Sequence, residues 1–490
     1  MNIVKVCTCR VWANNSTGPQ WCSYRYYSIR TLSLFLSLLC HQLFLCWQAC
    51  LHASSRALSF SLFHYSQCKH KAITKLIIKL RMINRCTHLW PNLLDLTTLS
   101  DYLLWHTLYS YLPHLLVKWI FFVFTTVQLY WLGIKYLLVE LHRRFSSNVR
   151  KLRPDDPDIR NDLRNYVAIV TGGSMGIGLN VAKELYRRGC IVVITAFEFH
   201  SKEERHQFAT NICESVVELV NGGSVHVYDI DLRDLSSVCD FVTYFNDHFD
   251  HLDILINNAG VMYVKQTYTV DGFEWHYQVN YLSHVLLTWL LMPALNRANK
   301  EKPARIVNVS SSTHYARDLF VKDLQSLNSP YSPFHAYAQS KLCVLMFTYY
   351  LADWLAERTE QYHILVNTLH PGVANTALYQ NVWWVNRFPC LAKFLFRSPE
   401  EGAETVLYAA LSSEIKSSGH YFEDCRKIRS SRYSYRKSIQ ASLAEITAKQ
   451  LNPIIEQLNR QRVKNICQLP LMFDWVLCDY SWIFMLIEHL

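Results

Sequence analysis

Tyr337 and Lys341 stand four residues apart in the run Tyr-Ala-Gln-Ser-Lys, a spacing that puts both side chains on one face of a helix opening near Pro333. An ammonium beside a phenol favours the phenolate. The pair therefore predicts a tyrosine whose pKa falls from its ordinary ~10 toward a value suited to proton transfer. Taken singly, a Tyr-x-x-x-Lys match usually marks an exposed helix face, so its weight depends on company. Ser310, Ser311 and Ser312 end an apolar, β-branched run upstream, and Asn257-Asn258-Ala259-Gly260 end another. A serine at a strand end can hold a substrate oxygen for the tyrosine; without the downstream pair, capping a turn would be its better reading.

A second kind of chemistry sits further upstream, in Thr171-Gly172-Gly-Ser-Met-Gly176-Ile177-Gly178. The run follows a strand pattern and opens a helix with Val181, Ala182 and Leu185 at core spacing. Glycines let a backbone approach a pyrophosphate, and a helix N-terminus offers it unpaired N–H groups and a positive dipole. Glycines at a turn also serve geometry alone, so this signal too gains from the others.

Positioning these residues requires strands that end together. From residue 164 onward, short β-branched runs alternate with helical periodicity, the mark of a parallel sheet wrapped by helices. Strands are predicted at Tyr166–Val170, Ile191–Thr195, Val225–Tyr228, Ile254–Asn257, Arg305–Val309, Ile364–Thr368 and Gly419–Phe422. The fold class is α/β: a Rossmann-type doubly wound parallel sheet of about seven strands, with an N-terminal membrane-associated extension. Residues 430–465 read as a polar helix pair broken near Pro453, and Leu469–Leu490 as an apolar packing or interfacial segment.

Thr171–Gly178, Asp231-Leu232, Asn257–Gly260, Asn280, Ser311, Tyr337/Lys341 and Pro371-Gly372-x-x-x-Thr376 fall in the order and approximate spacing of the short-chain dehydrogenase/reductase family, which residues 164–425 resemble. The resemblance implies that Tyr337 is the acid/base, that Lys341 tunes it and bonds the nicotinamide ribose, and that Asn280 holds the water of a proton relay. It implies that Ser311, the second serine after Val309, orients the substrate oxygen. The implied cofactor cradle is Thr171, Gly172, Gly176, Ile177 and Gly178 at the phosphates, and Asp231 with Leu232 at the adenine. Asn257, Ala259 and Gly260 line it further along, and Pro371, Gly372 and Thr376 lie toward the carboxamide. The cofactor is NAD or NADP. Positions that would carry an acid for NAD or an arginine for NADP are Ala196 and Phe197, while Lys202 or Arg205 would be near enough to reach a 2′-phosphate.

Asp271-Gly-Phe-Glu, Val279-Asn280-Tyr-Leu-Ser-His and His370-Pro-Gly-Val-Ala-Asn-Thr resemble the retinol dehydrogenase branch of that family. The implied reaction interconverts an apolar alcohol and its aldehyde or ketone: a long isoprenoid of the polyprenol, polyprenal or dolichal type, or alternatively retinol or a steroid. The crowded aromatic residues after Thr376 (Trp383, Trp384, Phe388, Phe394, Phe396) suit such a substrate, and suit a packed helix or a membrane-contacting face equally well. A rival of another class is a catalytically idle NAD(P)-binding scaffold or sensor, against which the intact Ser/Tyr/Lys/Asn set argues. A homodimer is the assembly expected.

Composition accounts for the rest of the chain. Residues 1–150 hold sixteen Lys or Arg against three Asp or Glu, a formal +13 that leaves −3 on the remainder of a chain of net charge +10. The basicity is scattered among apolar runs, without the basic face of a nucleic-acid module, and nucleic acid is excluded as a partner. Eight of the sixteen cysteines lie in the first 86 residues without zinc spacing, which predicts no metal, and the singly dispersed ones of the catalytic region fit a thiol-reducing, cytosol-facing compartment. Residues 31–55 lack Asp, Glu, Lys and Arg and resemble a signal-anchor core, but seven basic residues between 56 and 85 would then lie on the wrong side. Trp119–Val139, flanked by Lys118 and followed by Arg143, Arg144, Arg150, Lys151 and Arg153, is the better membrane anchor. The organisation expected is an N-terminal extension over 1–118, an anchor over 119–139, the catalytic domain over 164–425 and a helical extension over 426–490. Membrane lipids are the other partner, at the endoplasmic reticulum or a lipid-droplet surface, with catalysis facing the cytosol.

Overall fold

The computed structural model describes residues 159–461, apart from 198, 200, 217–219, 221, 299–301, 317–322 and 326–330. It also describes helical positions 127, 130–140 and 142 and two short strands, β1 (Ile3–Val4) and β2 (Tyr27–Ser28), which pair antiparallel. The chain divides into two compact units, one holding β1 and β2 and the other everything from residue 124 onward.

The second unit is built on one eight-stranded sheet of order β10-β9-β8-β7-β6-β3-β4-β5. Its strands are β3 (Val167–Thr171), β4 (Ile191–Ala196), β5 (Ser224–Asp229), β6 (Ile254–Asn257), β7 (Ala304–Val309), β8 (Ile364–His370), β9 (Tyr421–Glu423) and β10 (Arg426–Ile428). The first seven pair in parallel and match the seven strands expected; β10 is an addition. It folds back antiparallel on β9 through Asp424 and Cys425, both at positive φ (55° and 56°), as a two-residue hairpin turn demands. Cysteine is an unusual occupant of that turn, so the usual Asn-Gly signal was missing from the sequence.

Every residue of β3, β6 and β7 is buried, because helices cover both faces of the sheet and no strand position looks to water. Two apolar clusters fill the two layers, one around Phe241, Phe245 and Leu286, the other around Leu185, Val406 and Leu411. From β3 the chain winds outward to β4 and β5, then returns to β6 on the other side of β3. That reversal opens a crevice at the carboxyl ends of β3 and β6, where ligands bind in sheets of this kind.

The expected break near Pro453 is absent: a single helix, Lys437–Gln461, runs through it. Proline in a helix costs about 3 kcal/mol. Leu443, Leu451 and Ile455 are buried in the core, the Tyr277 hydroxyl donates to Gln450 (2.8 Å), and the Tyr281 hydroxyl bonds Thr447 (2.8 Å). Burying several aliphatic side chains at roughly 1.5–3 kcal/mol each outweighs one lost backbone bond.

The expected anchor, 119–139, lies partly outside the described residues, and 31–55 and 469–490 lie wholly outside them. Among the described residues no helix is long and apolar enough to cross a membrane. Positions 130–140 are helical; Leu132, Tyr136 and Glu140 are buried while Trp131, Leu138 and Val139 are exposed.

Candidate active site

The helix Pro333–Ala356 starts with Pro at its first position and carries Tyr337 and Lys341 one turn apart, both buried. The Ser311 hydroxyl, at the end of β7, lies close enough to the Tyr337 phenol to pull its pKa down. The Lys341 Nζ donates to the Val309 carbonyl (2.9 Å) and lies 6.0 Å from the Tyr337 ring centre. Ser310, which might have competed with Ser311, instead donates its hydroxyl to the Lys341 carbonyl (2.8 Å).

The charges depart from the sequence expectation. Burial pushes the Tyr337 phenol up to about 12, with the Ser311 bond pulling the other way. Burial also depresses the Lys341 ammonium to about 8. The lysine was expected to lower the phenol, but desolvation of a fully enclosed hydroxyl outweighs the attraction of an ammonium aimed at a carbonyl.

Asn280 sits at the centre of a π turn, Gln278–Leu282, which pushes it out of ordinary helical register. Its Oδ1 accepts from Val261 N (2.8 Å), and its Nδ2 donates to Val261 O (3.0 Å) and to the Ser340 hydroxyl (2.9 Å). Ser340 in turn donates to the Tyr337 carbonyl (2.8 Å). Gly260 closes the group: a Cβ there would lie 3.0 Å from Asn280 Oδ1 and 3.4 Å from Lys341 Nζ. Tyr337, Lys341, Ser311 and Asn280 are thus brought together.

The glycine loop forms the other wall. Gly172 (φ +62°) and Gly176 (φ +57°) adopt a conformation other residues resist, and a Cβ on Gly178 would strike the Gly172 carbonyl at 2.3 Å. The helix that follows, Gly176–Arg187, has no acid in its first turn and no side-chain cap, so its N–H groups are left to a phosphate, which fits a dinucleotide. Thr376 approaches the same loop, 3.1 Å from where a Gly176 Cβ would sit.

His284 joins the two walls. Burial, then repulsion from Lys341, lowers its pKa to about 4, so it is neutral. Its Nδ1 lies 3.2 Å from the Asn280 carbonyl, which can only accept, so Nδ1 carries the proton and Nε2 accepts from the Thr171 hydroxyl (2.9 Å). Thr171 Oγ1 also accepts from the N–H groups of Asn258 (2.9 Å) and Ala259 (3.0 Å). A histidine four residues after Asn280 was visible in the sequence, but nothing there said which strand end it faced.

Other expected residues lie in less direct positions. The Asn257 side chain is buried and donates to Thr288 and Asn308 (2.9 and 2.8 Å), binding strand ends together. The Asp231 carboxylate pairs with Arg233, whose guanidinium lies 4.3 Å over the exposed Phe197 ring. Arg205 pairs with Asp229. Leu232 is buried in the core beside the Asp231 turn, and Ile177 packs against Gly402.

The Pro371–Thr376 segment is fixed by residues that sequence reasoning did not single out. Arg397 is buried; it pairs with Glu140 through Nε (2.7 Å) and Nη2, reaches Asp424 (3.0 Å), and donates to the Pro371 carbonyl (3.3 Å). Val373 N donates to Glu140 Oε1 (3.2 Å). Gly372 (φ +85°) has no room for a Cβ, which would lie 2.0 Å from the guanidinium. A contact spanning 257 residues leaves no periodic trace.

A family model described as short chain dehydrogenase matches residues 166–384. The chain is 39% identical over 322 residues to human polyprenol dehydrogenase, covering 65% of this chain and 92% of that protein. It is 40% identical over 322 residues to the zebrafish (Danio rerio) polyprenol dehydrogenase, covering 65% and 93% respectively. To mouse retinol dehydrogenase 14 it is 35% identical over 299 residues, covering 58% and 85%.

Two outcomes follow from the buried charges. Glu140→Ala leaves a buried guanidinium with only the half-buried Asp424 as counter-charge and should cost about 3 kcal/mol in urea denaturation, the usual penalty of breaking a buried pair from one side. An unchanged unfolding midpoint would mean that the Arg397 bond is dispensable. Lys341 is charged in both the folded and unfolded chain below pH 8, so the folded state bears its full desolvation cost there. Between about 8 and the ordinary ~10.4 only the unfolded chain keeps the proton, and stability rises with pH. Lys341→Met should therefore be more stable than wild type at pH 7 by on the order of 1–2 kcal/mol, a gain that shrinks toward pH 10. It should lose turnover at the same time.

Proposed function

The chain belongs to the short-chain dehydrogenase family and is an NAD(P)-dependent oxidoreductase acting on CH–OH groups; from that premise we propose that it interconverts a long isoprenoid alcohol of the polyprenol type and its aldehyde. The observation that carries this reading is the aromatic surround of the Tyr337 hydroxyl. The Tyr263 ring lies 5.7 Å from Tyr337 and 4.2 Å from Phe334, and Tyr379 is close enough to repel a phenolate at either Tyr263 or Tyr337. Asn381 ties the loop after Thr376 to the Met262 carbonyl (3.1 Å), and Tyr379 and Trp384 pack on Phe396. Such walls suit a hydrocarbon chain better than a polar substrate.

The bound nicotinamide supplies the acceptor or donor of hydride. The remaining work falls to this chain. Ser311 holds the substrate oxygen within reach of Tyr337. Tyr337 takes the hydroxyl proton as the alcohol is oxidised, and returns it in the reverse direction. A phenol lifted by burial is a weak acid until a positive charge is set beside it, so Lys341, already easily deprotonated, both steadies the phenolate and passes the proton on toward Asn280.

Tyr337→Phe should cut turnover of a long polyprenol by at least ~100-fold while leaving NADH and NADPH affinity unchanged, because it removes only the transferable proton. Comparable loss of cofactor affinity would mean that the substitution had disturbed the fold. A panel of polyprenal, retinal and a steroid ketone identifies the substrate; faster turnover of retinal or the ketone would overturn the isoprenoid reading.

The proposal extends to location. An apolar substrate of this length resides in a membrane, and the basic run from Arg143 to Arg153 would hold the catalytic unit on the cytosolic face. Protease added to intact microsomes should digest the catalytic unit; protection would place it in the lumen and end this part of the reading.

A further inference from the structure

The opposite edge of the sheet carries a cavity of its own. Beneath the amino ends of β7 and β8 lies a cavity of about 670 Å³, bordered by the last turn of the helix Pro333–Ala356 and by residues that follow the helix Pro399–Leu411. The active site occupies the carboxyl ends of the same strands, roughly 20 Å away at ~3.3 Å per residue.

Among the described residues, the charged side chains of this cavity are all basic: Arg160, Lys302, Arg305 and Lys416 line it together with His363, and none of the described lining residues is an Asp or Glu. Arg305 is 2% exposed. Its Nη2 donates to the Ser412 carbonyl (2.9 Å), but among the described residues Nε and Nη1 have no hydrogen-bond partner, and neither does Nη1 of Arg160. Burial and the neighbouring Arg160 charge depress the Arg305 guanidinium to about 10, which still leaves it charged at neutral pH. Two acids close in sequence to β3 and β6 are engaged elsewhere: Asp162 pairs with Arg164, and Asp253 accepts from Val167 N (2.8 Å).

A buried arginine with unpaired donors, set beside a second, half-buried arginine, is costly as it stands, and paired guanidinium groups recognise planar or tetrahedral oxyanions. The rest of the wall is hydrocarbon, including Ala352, Leu355, Ile364 and Ile415. We propose that this cavity binds an amphiphilic oxyanion, its phosphate or carboxylate head on Arg305 and Arg160 and its apolar body along those side chains. The site is separate from the dinucleotide cradle and does not depend on the substrate assigned above.

The test is thermal unfolding of the purified full-length protein with inorganic phosphate and with hexyl phosphate, against chloride of equal ionic strength and against hexanol. Both phosphates should raise the melting temperature, hexyl phosphate at lower concentration, and neither chloride nor hexanol should match them. Arg305→Met should melt no lower than wild type without anion, since it removes an uncompensated charge, and should lose the phosphate-dependent rise. If Arg305→Met does not fold, Arg160→Gln serves: its apparent phosphate affinity should fall about tenfold, the worth of one charge-assisted hydrogen bond. Gly176→Val, in the dinucleotide loop, should keep the full rise. No rise in wild type beyond that in chloride, or a rise retained by Arg305→Met or Arg160→Gln but lost in Gly176→Val, would overturn the proposal.

Discussion

Everything at the carboxyl edge of the sheet is arranged around one unfavourable fact, a lysine ammonium taken out of water. Lys341 is 4% exposed and, among the described residues, has no carboxylate against it; what it has is the Val309 carbonyl at 2.9 Å. The groups around it are neutral and fixed: Ser310 on its backbone carbonyl, Asn280 clamped between Val261 and Ser340, and His284 kept uncharged partly by Lys341 itself. A paired lysine would be more stable and less useful, because a proton bound that firmly does not move. The fold accepts the desolvation cost where the chemistry needs a mobile proton.

The same constraint explains which parts of the site were legible in the sequence. Tyr337 and Lys341 share a helix, so their contact follows from a spacing of four. Ser311 and Asn257–Gly260 end strands, and strands in one parallel sheet end on one side, so their convergence follows from the fold class. The glycine loop was readable because φ values near +60° and a carbonyl 2.3 Å from a notional Cβ leave few residues to choose from. The direction of the Tyr337 shift was not readable, because it depends on total enclosure, which a local motif does not encode.

What the sequence concealed lies mostly at long range or against propensity. The π turn at Gln278–Leu282 reads as ordinary helix, yet it sets where Asn280 points. Pro453 looked like a terminator, but the Leu443, Leu451 and Ile455 face continues on both sides of it and decides the matter by burial. The run from Trp119 onward reads as one apolar segment, whereas its described part has two characters. Leu132, Tyr136 and Glu140 face inward, with the Tyr136 ring edge-on to His370 at 5.7 Å, and Trp131 and Leu138 face out. Glu140 interrupts an apolar stretch for a reason found only 257 residues later.

Two buried arginines make the contrast that governs the remaining structure. Arg397 is surrounded by acceptors, Glu140, Asp424 and the Pro371 carbonyl, so its burial locks the segment that leads to Thr376. Arg305 is buried as deeply, yet keeps two donors open beside a second guanidinium. Equal burial with unequal pairing cannot serve the same purpose, since breaking or omitting one side of a buried pair costs several kcal/mol. The first arginine is satisfied from within the chain and works as a brace; the second has only the Ser412 carbonyl, and its remaining donors are left for something that enters from outside. A sheet whose carboxyl edge holds a cofactor thus carries, at its amino edge, donors prepared for a different anion.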